Sequence, residues 1–98
     1  MEKKTPHCKL PTVQKLVEEG KVRATISALA GAASLGLDFQ DMVAVIKALT
    51  MRDFYKSMTT HADNKIWQDV YRPTTTAGEV YLKLTVIDDV VIVSFKEL

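Results

Sequence analysis

Gly78-Glu79-Val80-Tyr81-Leu82-Lys83-Leu84-Thr85-Val86-Ile87, then Asp88-Asp89, then Val90-Val91-Ile92-Val93-Ser94-Phe95-Lys96-Glu97, is the stretch that decides the fold. Two runs rich in Val, Leu, Ile and Thr, separated by a pair of aspartates, read as a β-hairpin. With Asp88 and Asp89 as a two-residue turn, Ile87 opposes Val90, Thr85 opposes Ile92, Lys83 opposes Ser94 and Tyr81 opposes Lys96. Alternation then sorts the faces. Val80, Leu82, Leu84, Val86, Val91, Val93 and Phe95 form an apolar face that must be core, and Tyr81, Lys83, Thr85, Ser94 and Lys96 form the other. A slip of one residue would separate Tyr81 from Lys96.

Upstream, residues 65–72 alternate around Trp67 and Tyr71 and stop at Pro73, which reads as a third strand joined to the hairpin by the loop at residues 73–78. If that loop closes a second hairpin, Gln68, Val70 and Arg72 share a face with Tyr81 and Lys83, and Trp67 and Tyr71 pack toward the core. The N-terminal half reads as helical. Leu10-Pro11-Thr12 opens a helix with Pro in its first turn, Val13, Leu16 and Val17 mark a buried stripe, and Gly20 ends it. An Ala-rich helix carrying Ile26, Leu29 and Ala33 precedes Gly36. Asp38 caps a third helix, in which Phe39, Met42, Val43, Ile46 and Leu49 follow helical spacing. Thr50 with Asp53 three residues on suggests a short fourth helix through Ser57, with Lys56 at its end. The class expected is α+β, a small antiparallel sheet of C-terminal strands packed against N-terminal helices.

A chain of 98 residues with 47% hydrophobic content is of ordinary size for one domain over residues 1–98. No apolar run approaches the roughly 20 residues that span a bilayer, and residues 1–9 are charged, so a cytoplasmic protein without membrane association is expected. The lone Cys8 suits a reducing compartment. A net charge of +1 gives no general attraction to nucleic acid, so any RNA grip must be local. Lys56, Lys65, Arg72, Lys83 and Lys96 could supply a patch beside the sheet.

The spacing argues against several chemistries. His7 and His61 are far apart, and the carboxylates fall mostly at caps and turns, so no metal site and no cofactor are expected. There is no nucleophile elbow, Cys-His arrangement or nucleotide-binding loop. What is left is acid-base and electrostatic work by Lys and Tyr, which suits cleavage of RNA at its own 2′-hydroxyl: the substrate supplies the nucleophile, and the protein moves protons and stabilises charge at phosphorus. Both side chains have ordinary pKa values of about 10, and neighbouring cations lower them.

Residues 1–7, 36–39, 53–60, 66–73 and 92–97 together resemble the MqsR family of bacterial toxins, and the likeness extends over essentially the whole chain. The resemblance implies a RelE-like fold and an endoribonuclease that cuts single-stranded mRNA at short GC-containing triplets without a ribosome or a metal. It implies restraint by an MqsA-type antitoxin, with any contact to DNA arising through the antitoxin complex. The family's active-site positions fall on Lys56, Gln68, Tyr81 and Lys96, with Met58 beside them, and all are present with the matching residue type. On this resemblance Tyr81 transfers a proton, Lys56 and Lys96 stabilise the phosphate, and Gln68 hydrogen-bonds substrate. Arg72 and Lys83 join Met58 as substrate-binding residues. The chain departs from the family pattern on helix surfaces, at residues 74–77 and at Asp88, where the best-known member has His. The competing class is a non-catalytic RNA-binding or regulatory module, which would tolerate Tyr81→Phe where proton transfer would not.

Overall fold

The C-terminal hairpin forms the centre of a seven-stranded sheet in the computed structural model, which describes residues 1–98. In chain order the elements are β1 (Glu2–Lys3), α1 (Leu10–Glu18), β2 (Val22–Ala24), α2 (Ile26–Ser34), α3 (Phe39–Lys47), a 3-10 turn (Met51–Asp53), β3 (Phe54–Thr59), β4 (Trp67–Tyr71), β5 (Thr74–Thr75), β6 (Gly78–Ile87) and β7 (Asp89–Glu97). The sheet runs β1-β3-β4-β6-β7-β2, with β5 pairing β6 beside it, and the fold is the expected α+β class.

Helices α1 and α3 follow the sequence signals. Pro sits in the first turn of α1, whose Leu10, Val13 and Val17 are buried, and Gly20 reverses the chain after it at φ 80°. Asp38 and Asp41 form a reciprocal capping box at the start of α3, with both bonds at 2.8 Å. Met42, Val43 and Ile46 are buried, each such side chain contributing about 1.5–3 kcal/mol relative to exposure. Gln14 of α1 donates to the carbonyls of Ile46, Lys47 and Leu49, closing the C-terminal end of α3.

Helix α2 packs by smallness. Ala28 and Ala32 are its buried residues, whereas Ile26 is 86% exposed and Ala33 is exposed too. Its close approach to β7 depends on Gly31, where a Cβ would fall 1.9 Å from the Phe95 carbonyl oxygen.

Three expectations are corrected. The fourth helix does not extend to Ser57: the Thr50 N–H does reach the Asp53 carboxylate at 2.9 Å, but the helical turn stops at Asp53 and Lys56 lies within strand β3. The N-terminal half contains two strands, β1 and β2, each too short to show alternation and each held by a longer neighbour. The hairpin turn is tighter than two residues. Ile87 pairs with Asp89, leaving Asp88 alone at the tip with φ 64°, a left-handed conformation that Asp tolerates better than most residues.

That tight turn shifts the register near the tip, so that Thr85 faces Val91 and Leu84 faces Ile92. Val90 and Ile92 are therefore fully buried in place of the expected Val91 and Val93. Val93 is then the extra residue of a bulge, after which Lys83 faces Ser94, Leu82 faces Phe95 and Tyr81 faces Lys96, as expected from sequence. The core joins Val80, Leu82, Leu84, Val90, Ile92, Phe95 and Tyr71 of the sheet to the buried residues of the three helices, which accordingly cover one face.

On the same face, β3 and β4 are covered by the segment before α1. Asp69, 2% exposed, accepts from Ser57 Oγ at 2.6 Å and from the backbone N–H groups of His7 at 2.9 Å and Cys8 at 3.1 Å. Replacing Asp69 with Ala would orphan all three donors in a buried site, so an expected loss of about 2–4 kcal/mol in urea unfolding tests this anchoring role. A loss below about 1 kcal/mol would show that the N-terminal segment is not pinned there.

Candidate active site

The face turned away from the helices carries the residues singled out in the sequence, and two bulges bring them there. In β3, Phe54 pairs with Tyr71 and packs against its ring on the core side, 5.4 Å between centroids. A regular strand would put Lys56, two residues on, on that same side. The register shifts between them, Tyr55 is the extra residue, and Lys56 emerges opposite Val70 on the open face. In β7 the bulge at Val93 acts likewise. Ile92 is core, yet Ser94 and Lys96 stand on the open face opposite Lys83 and Tyr81.

Across the open face the pairings make rows. Lys56, Val70, Lys83 and Ser94 form one row, on strands roughly 4.8 Å apart. Tyr81 and Lys96 head the next. The β4–β6 register, continued by the Val80 N–H bond to the Pro73 carbonyl at 3.0 Å, brings Arg72 beside Tyr81. Met58 faces Gln68 one row further along. Val70 is fully buried although it is on this open face, so the side chains around it, with Lys56 and Lys83 as its cross-strand neighbours, stand over it and leave it as the floor. Gln68, Val70 and Arg72 thus share a face with Tyr81 and Lys83, as the alternation predicts.

The face is cationic and aromatic. Lys96 Nζ lies 5.2 Å from the Tyr81 ring centre. Tyr55, which the sequence reading passed over, is a hub: the Arg72 guanidinium is 3.8 Å from its ring centre, Lys4 Nζ 5.1 Å and Lys56 Nζ 5.4 Å. No alternation in the sequence reveals Tyr55, because its placement depends on the bulge. The protein has two ion pairs within 4.0 Å, Lys21 with Glu19 and Lys56 with Glu2, so Arg72, Lys83 and Lys96 have no carboxylate partner. The hydrogen bond that Lys56 donates to the Glu2 carboxylate raises the pKa of Lys56 above the ordinary lysine value, against a smaller opposing effect of burial, while the same bond lowers the pKa of Glu2. Lys56 is therefore a cation and not a base at neutral pH. A grouping of unpaired cations with aromatic rings suits a polyanion with stackable bases.

Other candidates fall outside the face. Trp67 is only half-buried and does not reach the core: it stacks with His7, 5.5 Å between centroids, beneath Lys3 Nζ at 4.1 Å. His7 is thereby held on the covered side of the sheet. Burial, followed by the nearby Asp69, pushes the Cys8 thiol up, which makes it a poor nucleophile. Burial also drives the Tyr71 hydroxyl far up, and it has no hydrogen-bond partner, so it is a core phenol unlike Tyr81. Lys65 is exposed in the loop before β4. No three His, Cys, Asp or Glu side chains converge where they could hold a metal ion. The largest cavity, about 560 Å³, lies between α3 and residues 73–76 and is lined by none of Lys56, Gln68, Tyr81 and Lys96. No single helix is long and apolar enough to cross a membrane.

A family model described as motility quorum-sensing regulator, toxin of MqsA, matches residues 5–97. The chain belongs to the MqsR toxin family. It is 63% identical over 97 residues, 99% of each chain, to the mRNA interferase toxin MqsR of Escherichia coli (strain K12). The stretch matched by the MqsR model contains both bulges and Lys56, Met58, Gln68, Arg72, Tyr81, Lys83 and Lys96.

Proposed function

We propose that this protein is the toxin of a type II toxin-antitoxin pair, an endoribonuclease that cleaves single-stranded mRNA in the cytoplasm without metal or ribosome. Its substrate sites are GC-containing triplets, and an MqsA-type antitoxin restrains it. The observation that carries this reading is Tyr81 directly opposite Lys96, on an open face where Lys56, Arg72 and Lys83 supply further cations. Family membership and the mRNA interferase relative support it.

In the reaction the RNA 2′-oxygen attacks the adjacent phosphorus, an O2′–P bond forms, the P–O5′ bond breaks, and the products are a 2′,3′-cyclic phosphate and a 5′-hydroxyl. Lys56 and Lys96 hold the phosphate oxygens and stabilise the charge that builds on them. Tyr81 exchanges a proton with the reacting oxygens, and Gln68 hydrogen-bonds the substrate. Met58, Arg72 and Lys83 position the strand. An open face, in place of a closed cavity, admits a polymer from the side. DNA contact belongs to the antitoxin complex.

The test is incubation of purified protein with EDTA-treated, ribosome-free mRNA and mapping of ends by primer extension. The expected outcome is cutting at GC-containing triplets that leaves 5′-hydroxyl ends and stops when the antitoxin is added. Intact RNA from folded protein would favour the non-catalytic module or a nuclease that needs a ribosome.

A further inference from the structure

Lys56 is the one cation of the open face that already has an anion. Strand β1 pairs with the outer edge of β3, Glu2 opposite Met58 and Lys3 opposite Ser57. Lys3 is thus on the covered side and Glu2 on the side of Met58 and Lys56. The Glu2 carboxylate is in contact with Lys56 Nζ, and it lies on the solvent side: the Glu2 side chain is 56% exposed and that of Lys56 is 22% exposed. A carboxylate and a phosphodiester offer the same thing to an ammonium, a pair of anionic oxygens. We propose that Glu2 is a built-in competitor for RNA phosphate at Lys56, and that it sets the affinity of the site for RNA.

This inference rests on the reading of Lys56 as a phosphate-binding residue. Other contacts hold β1 without the Glu2 side chain. The Thr59 N–H donates to the Met1 carbonyl at 3.0 Å, the Met1 ammonium donates to Thr59 Oγ1 at 3.2 Å, and Lys3 Nζ donates to His7 Nδ1 at 3.1 Å while lying over Trp67. RNA can therefore displace the carboxylate by rotating one flexible side chain while the strand stays paired. The displaced Glu2 then faces the phosphate it has yielded to, so part of the attraction between Lys56 and RNA is spent on the exchange. The raised pKa of Lys56 and the lowered pKa of Glu2 are consistent with a firm internal pair.

The test uses the full-length protein and a fluorescein-labelled single-stranded RNA carrying 2′-O-methyl groups throughout, which binds without being cut. Glu2→Gln is expected to tighten Kd about two- to fivefold, the range an exposed ion pair spans. In a Lys56→Ala background Glu2→Gln should have no effect, since the site it vacates is gone. On cleavable RNA, KM should fall with kcat unchanged.

Unchanged or weakened binding by Glu2→Gln, alongside a Lys56→Ala variant that does weaken binding, would overturn the inference alone. A Lys56→Ala variant with unchanged Kd would overturn the reading of Lys56 and the inference with it. Equal tightening in both backgrounds would reduce Glu2 to a general charge effect and overturn it as well. A fall in kcat at constant Kd would make Glu2 a proton-transfer group and not a competitor.

Discussion

Replacing Tyr81 with Phe is expected to lower the rate of RNA cleavage about 100-fold or more, with RNA binding kept within about threefold, because a positioned proton-transfer group contributes on the order of 10²–10⁴ in rate. The substitution removes one oxygen and keeps the ring. That ring is half-buried on β6, and Lys96 Nζ, 5.2 Å from its centre, retains its aromatic partner. Fold and phosphate binding should survive, and the loss should appear in single-turnover cleavage and not in the Kd for a non-cleavable RNA. Tyr71→Phe is the matched control, since its hydroxyl is buried on the core face without a hydrogen-bond partner. Removing it should leave cleavage unaltered. A Tyr81→Phe protein that cuts at the wild-type rate would return the chain to the class of RNA-binding modules.

Gly31→Ala should destabilise the protein by about 3 kcal/mol or more, at the top of what overpacking typically costs, because the neighbouring element cannot yield. In an exposed helix the same change stabilises by up to about 1 kcal/mol, so the sign of the effect is diagnostic. Here the new methyl would fall 1.9 Å from the Phe95 carbonyl oxygen and 3.0 Å from its carbon, both backbone atoms of a paired strand. Relief requires α2 to lift off β7. Ala28 and Ala32 would then lose their burial, and β7 would move just where Phe95 leads into Lys96. Urea unfolding reads the stability, and cleavage at low temperature, where the variant is folded, should be reduced as well. A variant as stable as wild type would mean that α2 does not rest on β7 through this residue.

Much of this protein is legible in its sequence because local rules decide it. The boundaries of α1 and α3 follow from Pro11, Gly20 and Asp38, whose effects act within one helical turn. The alternation of β6 has Val80, Leu82 and Leu84 as its only consistent apolar face, and all three are fully buried. Helix α2 is less legible: its larger apolar residues, Ile26 and Leu29, are exposed, because the surface of β7 admits only a face of Ala and Gly. The pairing Thr50 and Asp53 marks a cap correctly, yet it cannot tell how far the helix runs beyond it. The salt bridge between residues 2 and 56 leaves no trace in a pattern of spacing, since β1 owes its existence to the edge of β3.

The sequence by itself determined the α+β class and the C-terminal hairpin, and the pairing of Tyr81 with Lys96 matches the regular register only because the tight turn and the bulge at Val93 offset each other. It did not determine how that pairing comes about. Residues 90–93 are all apolar, so alternation has nothing with which to choose between Val90 with Ile92 and Val91 with Val93. The tight turn at Asp88 and the fit against Val22, Arg23 and Ala24 of β2 select the first pair, and the bulge at Val93 restores the register before the site. The bulge at Tyr55 is equally silent in the sequence. It exists because Phe54 must meet Tyr71 while Lys56 pairs with Val70, two demands of the tertiary packing that a regular strand cannot satisfy together. Lys56 and Lys96 are thus delivered to the face by irregularities that only neighbouring strands impose, and strand neighbours distant along the chain are what a local pattern does not encode.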